Sequence, residues 1–549
     1  MHGAKQGCDG RLSWASTADR RTAQTHDREY HVSQNEPTHD ADRQRLNELG
    51  YAQELHRGMG TFSNFAISFS IISILAGALT SFSLGMFAGG PRIINLGWII
   101  VGIGALAVGA SMGEICSAYP TAGGLYYWSA KLARKDGAKW AWFTGWFNLV
   151  GQIGVIASVD WALANYVLYS FKLVGWDDLR PTKMTVYITY LILLVVHGFL
   201  NTYGVKLVKT LGDISVWWHI GGVVIIIVAL LAAGKNSTGT TGIMDFKNST
   251  GWGFPGSGLY VGLVGLLLAQ YTITGFDASA HVSEETTDAA TSAPKAIVRS
   301  IYISAIAAFL MNFVMLMAIP KGKYDEIAAG GILAGALVFT TALTGFLGKA
   351  LVIIATVGQF FCGMASVTAN SRMIYAFSRD NGLPGSKYWH RINRKTRTPT
   401  NSLWLGVVLS AIAGSLTLIQ TKKAIPVAFF ALTLMCVIGL YISYIIPVYL
   451  RLRNPDFQKG PWHLGARSKA IGWFAVVYVL VICVVGLLPQ FVPWNKWETA
   501  NLTLPVIGGI AIAVGLWWMV SAKNWFTGPK VQGSREELLA IERELSSLS

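Results

Sequence analysis

Charged residues are scarce in this chain. Of its 549 residues, only 13% are Asp, Glu, Lys or Arg, whereas soluble domains average about 25%. The hydrophobic share is 52% and the mean hydropathy is +0.44. Apolar runs of roughly 20 residues, enough for a helix to cross a bilayer, recur along most of the chain. The composition therefore excludes an ordinary soluble domain and predicts an α-helical membrane protein with many spans.

Cysteines are also few. The five, Cys8, Cys116, Cys362, Cys436 and Cys483, have no paired spacing. Four of them lie in or beside apolar runs, which is typical of free thiols and not of a disulfide framework or a metal site. We expect no metal and no cofactor.

Metal-binding and nucleotide-binding motifs of membrane enzymes are absent as well. The sequence contains no HExxH, no Walker loop and no Cys/His cluster. A membrane enzyme needs a clustered nucleophile and base, or metal ligands, at a membrane face. We therefore predict that the protein is not an enzyme.

The net charge of +15 has a topological explanation. The basic residues cluster in short loops between apolar runs, and nucleic-acid binding is not needed to account for them. Lys and Arg are more frequent in the loops that lie inside when the N-terminus is cytoplasmic. The bias predicts that both termini are cytoplasmic.

The apolar runs predict twelve spans. Residues 1–60 have no apolar run after the initial Met, so they predict a disordered cytoplasmic tail and not a cleavable signal peptide. Residues 61–522 form the predicted twelve-helix domain and residues 523–549 a cytoplasmic C-terminal tail. The spans are 62–84, 93–112, 138–169, 184–203, 211–233, 258–281, 297–318, 333–369, 402–419, 425–450, 471–490 and 501–522.

Small and hydroxyl residues crowd the first span, "SFSIISILAGALTSFSLG". A tightly packed helix explains most of them. A helix interrupted at Ala76-Gly77-Ala78, with Ser73 beside it, is the alternative. Backbone groups freed by a break are costly in lipid unless they line a cavity or meet a ligand, so a broken helix here would imply a binding site.

The sixth span carries a second interruption, Gly275-Phe276-Asp277. An ionised carboxylate at membrane depth is costly and usually faces a cavity on a substrate or ion path. Paired breaks in corresponding spans are the sequence signature of a transporter site near the bilayer midplane. The two breaks together predict such a site, with Asp277 attracting positive charge.

Several segments resemble the amino acid–polyamine–organocation superfamily. They are "GFDASAHVSEETTDAATSAPKAI" (275–297), "EICSAYPTAGGLYYWSA" (114–130) and "AFSRDNGLPGSKYWHRINRKTRTPTNSLW" (376–404). "GGPRIINLGW" (89–98) and "SILAGALTSF" are similar to the fungal permease branch for GABA, choline and amino acids. The resemblance covers nearly all of residues 55–522.

The resemblance implies a fold and an activity. The implied fold is the leucine-transporter type, with two inverted five-helix repeats and two extra helices. The implied activity is secondary transport, coupled to protons, of amino acids or related amines such as GABA or choline, across the plasma membrane or the vacuolar membrane. Bacterial members often have Gly-Ser-Gly where this chain has Ala76-Gly77-Ala78, so carboxylate binding at that break is less strongly implied.

Each charged candidate residue in the spans has a functional and a structural interpretation. Asp277 either contacts substrate or a gate, with Phe276 capping the substrate, or is a hydrogen-bonded core acid. Glu284 and Glu285 either form an inner gate or make salt bridges to an arginine of an inside loop. His219 either couples proton entry to transport or bonds a helix carbonyl. Asp160 either meets a substrate ammonium or pins neighbouring helices.

Three other functions stay open. The protein could be a permease for polyamines or basic amino acids. It could be a channel, or a nutrient sensor that keeps the fold without transporting. The substrate is in every case a small molecule, and the other partners are protons and the lipid bilayer.

Overall fold

The computed structural model describes residues 37–176, 181–203, 205–233, 242–419, 427–496 and 499–547. Within these ranges the regular structure is helical, and strand pairing is limited to isolated bridges. The helices are α1 (Pro37–Glu48), α2 (Thr61–Ile71), α3 (Phe82–Phe87), α4 (Gly90–Ala118), α5 (Gly124–Leu132), α6 (Gly137–Leu173), α7 (Lys183–Thr202), α8 (Val205–Ala233), α9 (Ser257–Gly265), α10 (Leu267–Thr272), α11 (Ala278–His281), α12 (Ala289–Ala318), α13 (Tyr324–Ala329), α14 (Ala334–Ala342), α15 (Phe346–Arg379), α16 (Ser386–Trp389), α17 (Thr400–Gly414), α18 (Val427–Leu452), α19 (Ser468–Leu487), α20 (Thr503–Val520) and α21 (Arg535–Ser547).

Eleven of the described helical segments are long and apolar enough to span a membrane. This confirms the polytopic all-α class. The predicted sixth span is not among the eleven, because the apolar helical segment Ser257–Thr272 is shorter than a full span. The count of twelve therefore stays a prediction.

Helix α6 lies at the centre of the bundle. It has 37 residues, and α18 and α15 both pack along it. Glycines allow the close approach to α18: a Cβ at Gly151 would lie 2.6 Å from the backbone nitrogen of Leu440, and one at Gly154 would lie 2.7 Å from that of Cys436. Small residues thus let two membrane helices touch backbone to backbone.

The first span is discontinuous. Helix α2 ends at Ile71, Ile72 and Ser73 are not helical, and a π-helical turn follows at Ile74–Ala78. The interruption begins at Ile72, four residues before the predicted site at Ala76-Gly77-Ala78. Ser73 has extended backbone angles and caps the new turn, which explains why the helix stops there.

The sixth span is broken where the sequence predicts. Helix α10 ends at Thr272, and helical structure resumes only at Ala278. Gly275 has φ of +93°, and a Cβ there would lie 2.3 Å from Cγ2 of Ile71. Glycine is therefore required both for the backbone conformation and for the approach of α2.

The predicted span 333–369 is wrong as a single helix. The structure has α14, an interruption at residues 343–345, and then α15 running to Arg379. Gly345 has φ of +75°, in a region that L side chains rarely adopt. The interruption lies inside a continuous apolar run, so hydropathy alone did not show it.

Both terminal segments contain helices. Residues 37–60, which the sequence assigns to a disordered tail, include α1, and the C-terminal segment includes α21. Four cysteines are free and buried, Cys116, Cys362, Cys436 and Cys483, and Cys8 lies outside the described residues. Residues 49–60 and 527–547 meet at one end of the bundle, which we call the terminal face.

Candidate functional site

The two helix breaks face each other inside the bundle. A Cβ on Gly77 would lie 2.8 Å from Cα of Thr272, the last residue of α10. Ser68 Oγ donates to the carbonyl of Phe276 at 2.9 Å and accepts from the backbone N–H of Ser279 at 2.9 Å. The first and sixth spans therefore contact each other beside both of their breaks.

The first break is held by a chain of hydrogen bonds. Ser73 Oγ accepts from the N–H of Ala76 at 3.0 Å and lies 2.7 Å from Nε2 of His219. His219 Nδ1 lies 2.8 Å from the carbonyl of Ser215, one turn earlier in α8. A neutral imidazole with its proton on Nδ1 satisfies every one of these contacts, because Ser73 then donates to Nε2. His219 thus joins α8 to the start of the π-helical turn.

The second break is organised by Asp277, which is fully buried. Its Oδ2 accepts from Nδ2 of Asn148 and Nε2 of Gln152, both at 3.0 Å, and lies 3.2 Å from Nε2 of His281. Its Oδ1 accepts from the hydroxyl of Tyr444 at 2.7 Å. Helices α6, α11 and α18 thus converge on one carboxyl group.

The Asp277–His281 pair is placed to share a proton. His281 Nδ1 lies 3.0 Å from the carbonyl of Ala122, which can only accept, so a hydrogen on Nδ1 satisfies that contact. The contact between Nε2 and Asp277 at 3.2 Å is then a hydrogen bond only with a second hydrogen, either on the imidazole or on the carboxyl group.

Two tyrosines of α18 hold the unwound backbone of the sixth span. The hydroxyl of Tyr441 donates to the carbonyl of Ile273 at 2.7 Å, and that of Tyr444 accepts from the N–H of Gly275 at 3.2 Å. The Phe276 ring lies 4.8 Å from the Tyr444 ring, centroid to centroid. The break is thus fixed by α18, and Phe276 is buried against it.

Two ion pairs join α15 to the glutamates that follow α11, at the end of the sixth span. Arg372 makes a two-pronged pair with Glu285, with nitrogen–oxygen distances of 2.7 and 3.0 Å. Arg379 pairs with Glu284 at 3.1 Å. Both glutamates therefore make salt bridges. The arginines belong to α15, whereas the sequence analysis expected an arginine of an inside loop. A buried pair of this kind is strongly destabilised when one partner is removed.

The neighbouring loop adds a further contact to this closure. The N–H of Ala122 donates to Oε1 of Glu284 at 2.9 Å, while its carbonyl meets His281. The N–H and the carbonyl of Ala122 thus both hold the loop before α5 against the end of the sixth span.

Asp160 is paired apart from the Asp277 group. Its Oδ2 lies 3.2 Å from Nδ1 of His197 on α7, and both side chains are fully buried. A Cβ on Gly363 would lie 2.1 Å from Oδ1 of Asp160, so a glycine of α15 makes room for the carboxyl group. The structure does not bring Asp160 to Asp277, although Ser158, two residues earlier, contacts the hydroxyl of Tyr271 at 3.0 Å.

Comparison with known proteins identifies the family. The profile described as "Amino acid permease" matches residues 59–512. The chain is 39% identical to amino-acid permease BAT1 of Arabidopsis thaliana over 90% of this chain and 97% of that protein. It is 30% identical to an uncharacterised amino-acid permease of Schizosaccharomyces pombe, over 92% and 93% of the two chains. A putative polyamine transporter of Candida albicans is 29% identical over 92% of each chain.

The chain belongs to the amino acid permease family. It is therefore a multi-pass integral membrane protein and a permease, not an enzyme. This membership confirms the superfamily that the motifs indicate.

Sequence reasoning missed several residues of this permease. Asn148 and Gln152 lie four positions apart in an apolar run, so they share a helix face, and that spacing could have revealed them. Arg372 and Arg379, seven positions apart near the end of α15, give a similar signal. Nothing in the sequence marks Tyr444, since tyrosines are common in membrane helices.

The terminal face is closed by both terminal segments. Gln53 Nε2 donates to the carbonyl of Glu284 at 2.8 Å, while the N–H of Gln53 donates to Oε1 of Glu542 on α21, also at 2.8 Å. Gln532 accepts from the N–H of Ala52 at 2.8 Å. The C-terminal segment therefore holds the N-terminal segment, which in turn holds the end of the sixth span.

A buried acid anchors the same face. Asp380 accepts from the hydroxyls of Tyr51 at 3.0 Å and Tyr126 at 2.7 Å, and from the N–H of Lys530 at 3.0 Å. Burial raises the pKa of Asp380 above its ordinary value, although Arg379 acts in the opposite direction. Burial, with a further contribution from Asp380, raises the pKa of Tyr51. A raised pKa favours the protonated, neutral form of both the Asp380 carboxyl group and the Tyr51 hydroxyl.

Proposed function

We propose that this permease is a proton-coupled secondary transporter of amino acids or related small amines, working by alternating access. The observation that carries the proposal is the pair of broken helices that contact each other beside their breaks inside the bundle. Irregular backbone at membrane depth is tolerated where it is buried in protein or lines a substrate path.

The substrate lies between the two breaks in this proposal. Backbone N–H groups at the start of the turn containing Ala76, Gly77 and Ala78, with Ser73 beside them, receive a carboxylate. Carbonyls of the segment around Gly275 receive an ammonium group. Amino acids and GABA carry both groups, whereas choline and polyamines use only the second contact.

The Asp277–His281 pair carries the coupled proton in this proposal. Its support is the geometry of the pair, with Nδ1 of His281 on the carbonyl of Ala122 and Nε2 on the carboxyl group of Asp277. Loss of that proton would set a lone pair of His281 against a carboxylate oxygen and loosen the closure at Ala122. His219 remains the alternative carrier, because its protonation would reverse the hydrogen bond from Ser73 at the first break.

The terminal face is the cytoplasmic face in this proposal, and Glu284 and Glu285 form the inner gate. Support comes from the excess of Lys and Arg in the loops on the side of the termini. The plasma membrane is the proposed location, with the vacuolar membrane as the alternative. In each transport cycle, the pairs Arg372–Glu285 and Arg379–Glu284 must then break to open this gate and form again to close it.

Uptake of labelled compounds into cells that lack their own permeases tests the proposal. The compounds are neutral and basic amino acids, GABA, choline and spermidine, each offered at acidic and at neutral pH. Wild type, Asp277→Asn, His281→Gln and His219→Ala are compared at matched surface amounts. The name of the Candida relative supports including a polyamine.

We expect saturable uptake of at least one amino acid or amine, faster at acidic pH. His281→Gln should lose the dependence on pH, while His219→Ala should keep it. The reverse result for these two variants would assign coupling to His219. No uptake of any compound, from protein shown to reach the surface, would contradict the proposal and favour a sensor.

A further inference from the structure

A basic pocket lies where α18 and α19 are joined. It has a volume of about 450 Å³, and its lining includes four basic residues. These are Arg451 and Arg453 at the end of α18, Lys459 in the loop, and Lys469 in the first turn of α19. No aspartate or glutamate lines it.

The positive charge of this pocket is largely uncompensated. Arg451 pairs with Glu114 of α4 at 2.8 Å. In the part of the chain that the structure describes, no carboxylate lies within salt-bridge distance of Arg453, Lys459 or Lys469. Three exposed cations therefore surround one concave space, which concentrates positive potential there.

A buried donor in the pocket wall has no partner. Arg451 is 9% exposed, and its Nε makes no hydrogen bond in the described residues. A buried N–H without an acceptor costs roughly 1–3 kcal/mol, and more on a charged group.

The start of α19 forms one wall of the pocket. Ser468, its first residue, lines the pocket together with Gly465. Glu114 accepts from the N–H of Leu464 at 3.3 Å and from the hydroxyl of Ser468, so this wall is fixed in place.

We propose that this pocket binds a phosphate-bearing anion, of the class found in phospholipid headgroups and in soluble phosphate esters. Both helices that form it are membrane spans, so the pocket lies at the level where headgroups meet the protein. Phosphate offers several acceptor oxygens, which match the guanidinium of Arg453 and the ammonium groups of Lys459 and Lys469.

Topology alone predicts basic loops, so a matched control is needed. Lys387 and Arg391 are exposed and basic, and they lie outside this pocket between α15 and α17. The variant Arg453→Gln/Lys469→Gln removes two charges from the pocket. The variant Lys387→Gln/Arg391→Gln removes the same charge elsewhere.

Purified full-length protein in neutral detergent is titrated with two probes, short-chain phosphatidic acid and glycerol phosphate. The shift in melting temperature gives an apparent affinity for each. We expect the pocket variant to bind roughly tenfold more weakly or worse, since each basic residue near an anionic headgroup contributes about 1 kcal/mol. The control should bind as wild type does. Lys459→Gln serves as a second variant, should the double variant unfold.

The two probes separate the sources of the anion. Binding of phosphatidic acid alone assigns the pocket to a membrane lipid, and binding of both probes assigns it to phosphate esters in general. Binding that the pocket variant and the control lose equally would overturn the proposal, because it would reflect net charge. So would the absence of binding by either probe.

Discussion

At the scale of single residues, Asp277 is the group on which most elements converge. Four side chains from three helices contact its carboxyl group. The sequence could reveal the acid, because it stands alone in an apolar span. It could not reveal the donors, because Asn148, Gln152 and Tyr444 lie far away along the chain and their convergence depends on the packing of α6 and α18.

Asp277→Asn should slow transport strongly. The side-chain amide would place an NH₂ group against groups that donate to the Asp277 carboxyl group, and a lost hydrogen bond to a charged group costs about 1.5–3 kcal/mol. We expect initial uptake to fall on the order of tenfold to a hundredfold at matched surface amounts. Tyr444→Phe keeps the ring beside Phe276 and the other three contacts of the carboxyl group, and it also removes the long contact with the N–H of Gly275, so we expect its uptake to fall less. Equal activity of Asp277→Asn and wild type would remove Asp277 from the mechanism.

Ser73→Ala should destabilise the first break. It removes the cap on the N–H of Ala76 and the partner of His219 Nε2. The loss of a serine cap costs about 1 kcal/mol, so the melting temperature of the purified protein should fall. Ser415→Ala, at an exposed position outside the site, is the control. An unchanged melting temperature for Ser73→Ala would show that the cap does not stabilise the break.

At the scale of elements, the breaks differ in how well the sequence predicts them. The sixth span contains Gly-Phe-Asp, which no uninterrupted lipid-facing helix needs, and the break is found there. The first span has small residues throughout, so the sequence places its break four residues late. The interruption after α14 depends on Gly345 within an apolar run, and hydropathy carries no information about backbone φ.

Gly77→Ala should separate the two broken spans. Its Cβ would lie 2.8 Å from Cα of Thr272, closer than real Cβ atoms approach backbone. Overpacking of this kind costs about 1–3 kcal/mol, and we expect uptake to fall severalfold or more. Gly508→Ala is the matched control, since a Cβ there meets nothing within 4 Å. Loss of uptake in both variants would show that the effect is not specific to the contact between breaks.

At the scale of the whole molecule, the terminal segments act together. Composition predicts polar tails, and it cannot show that Gln532 and Glu542 bind the N-terminal segment, because those contacts join residues almost 500 positions apart. The family and the all-α class were predictable, since motifs and hydropathy are local. The closure of the terminal face depends on long-range contacts and was not.

Glu542→Ala should loosen this closure. The N–H of Gln53 and the amide of Asn47 would lose their acceptor, and Gln53 would hold the carbonyl of Glu284 less firmly. The reporter is Ser283→Cys, in a background with Cys8→Ser. The hydroxyl of Ser283 is buried and makes no hydrogen bond in the described residues, so its replacement removes no contact.

Labelling of this cysteine by a membrane-impermeant thiol reagent, from the side of the termini, should rise severalfold in Glu542→Ala. Glu536→Ala, on the exposed side of α21, should leave it unchanged. Equal labelling of the two variants would show that α21 does not control the gate.

The central claim is that this permease couples substrate movement to protons through the pair at the second break. The most direct measurement uses purified protein in liposomes, with a pH gradient imposed across the membrane. We predict that an amino acid accumulates against its gradient only when the pH gradient is present, and that His281→Gln exchanges substrate without accumulating it. Accumulation that is independent of the pH gradient, or undiminished in His281→Gln, would contradict the account.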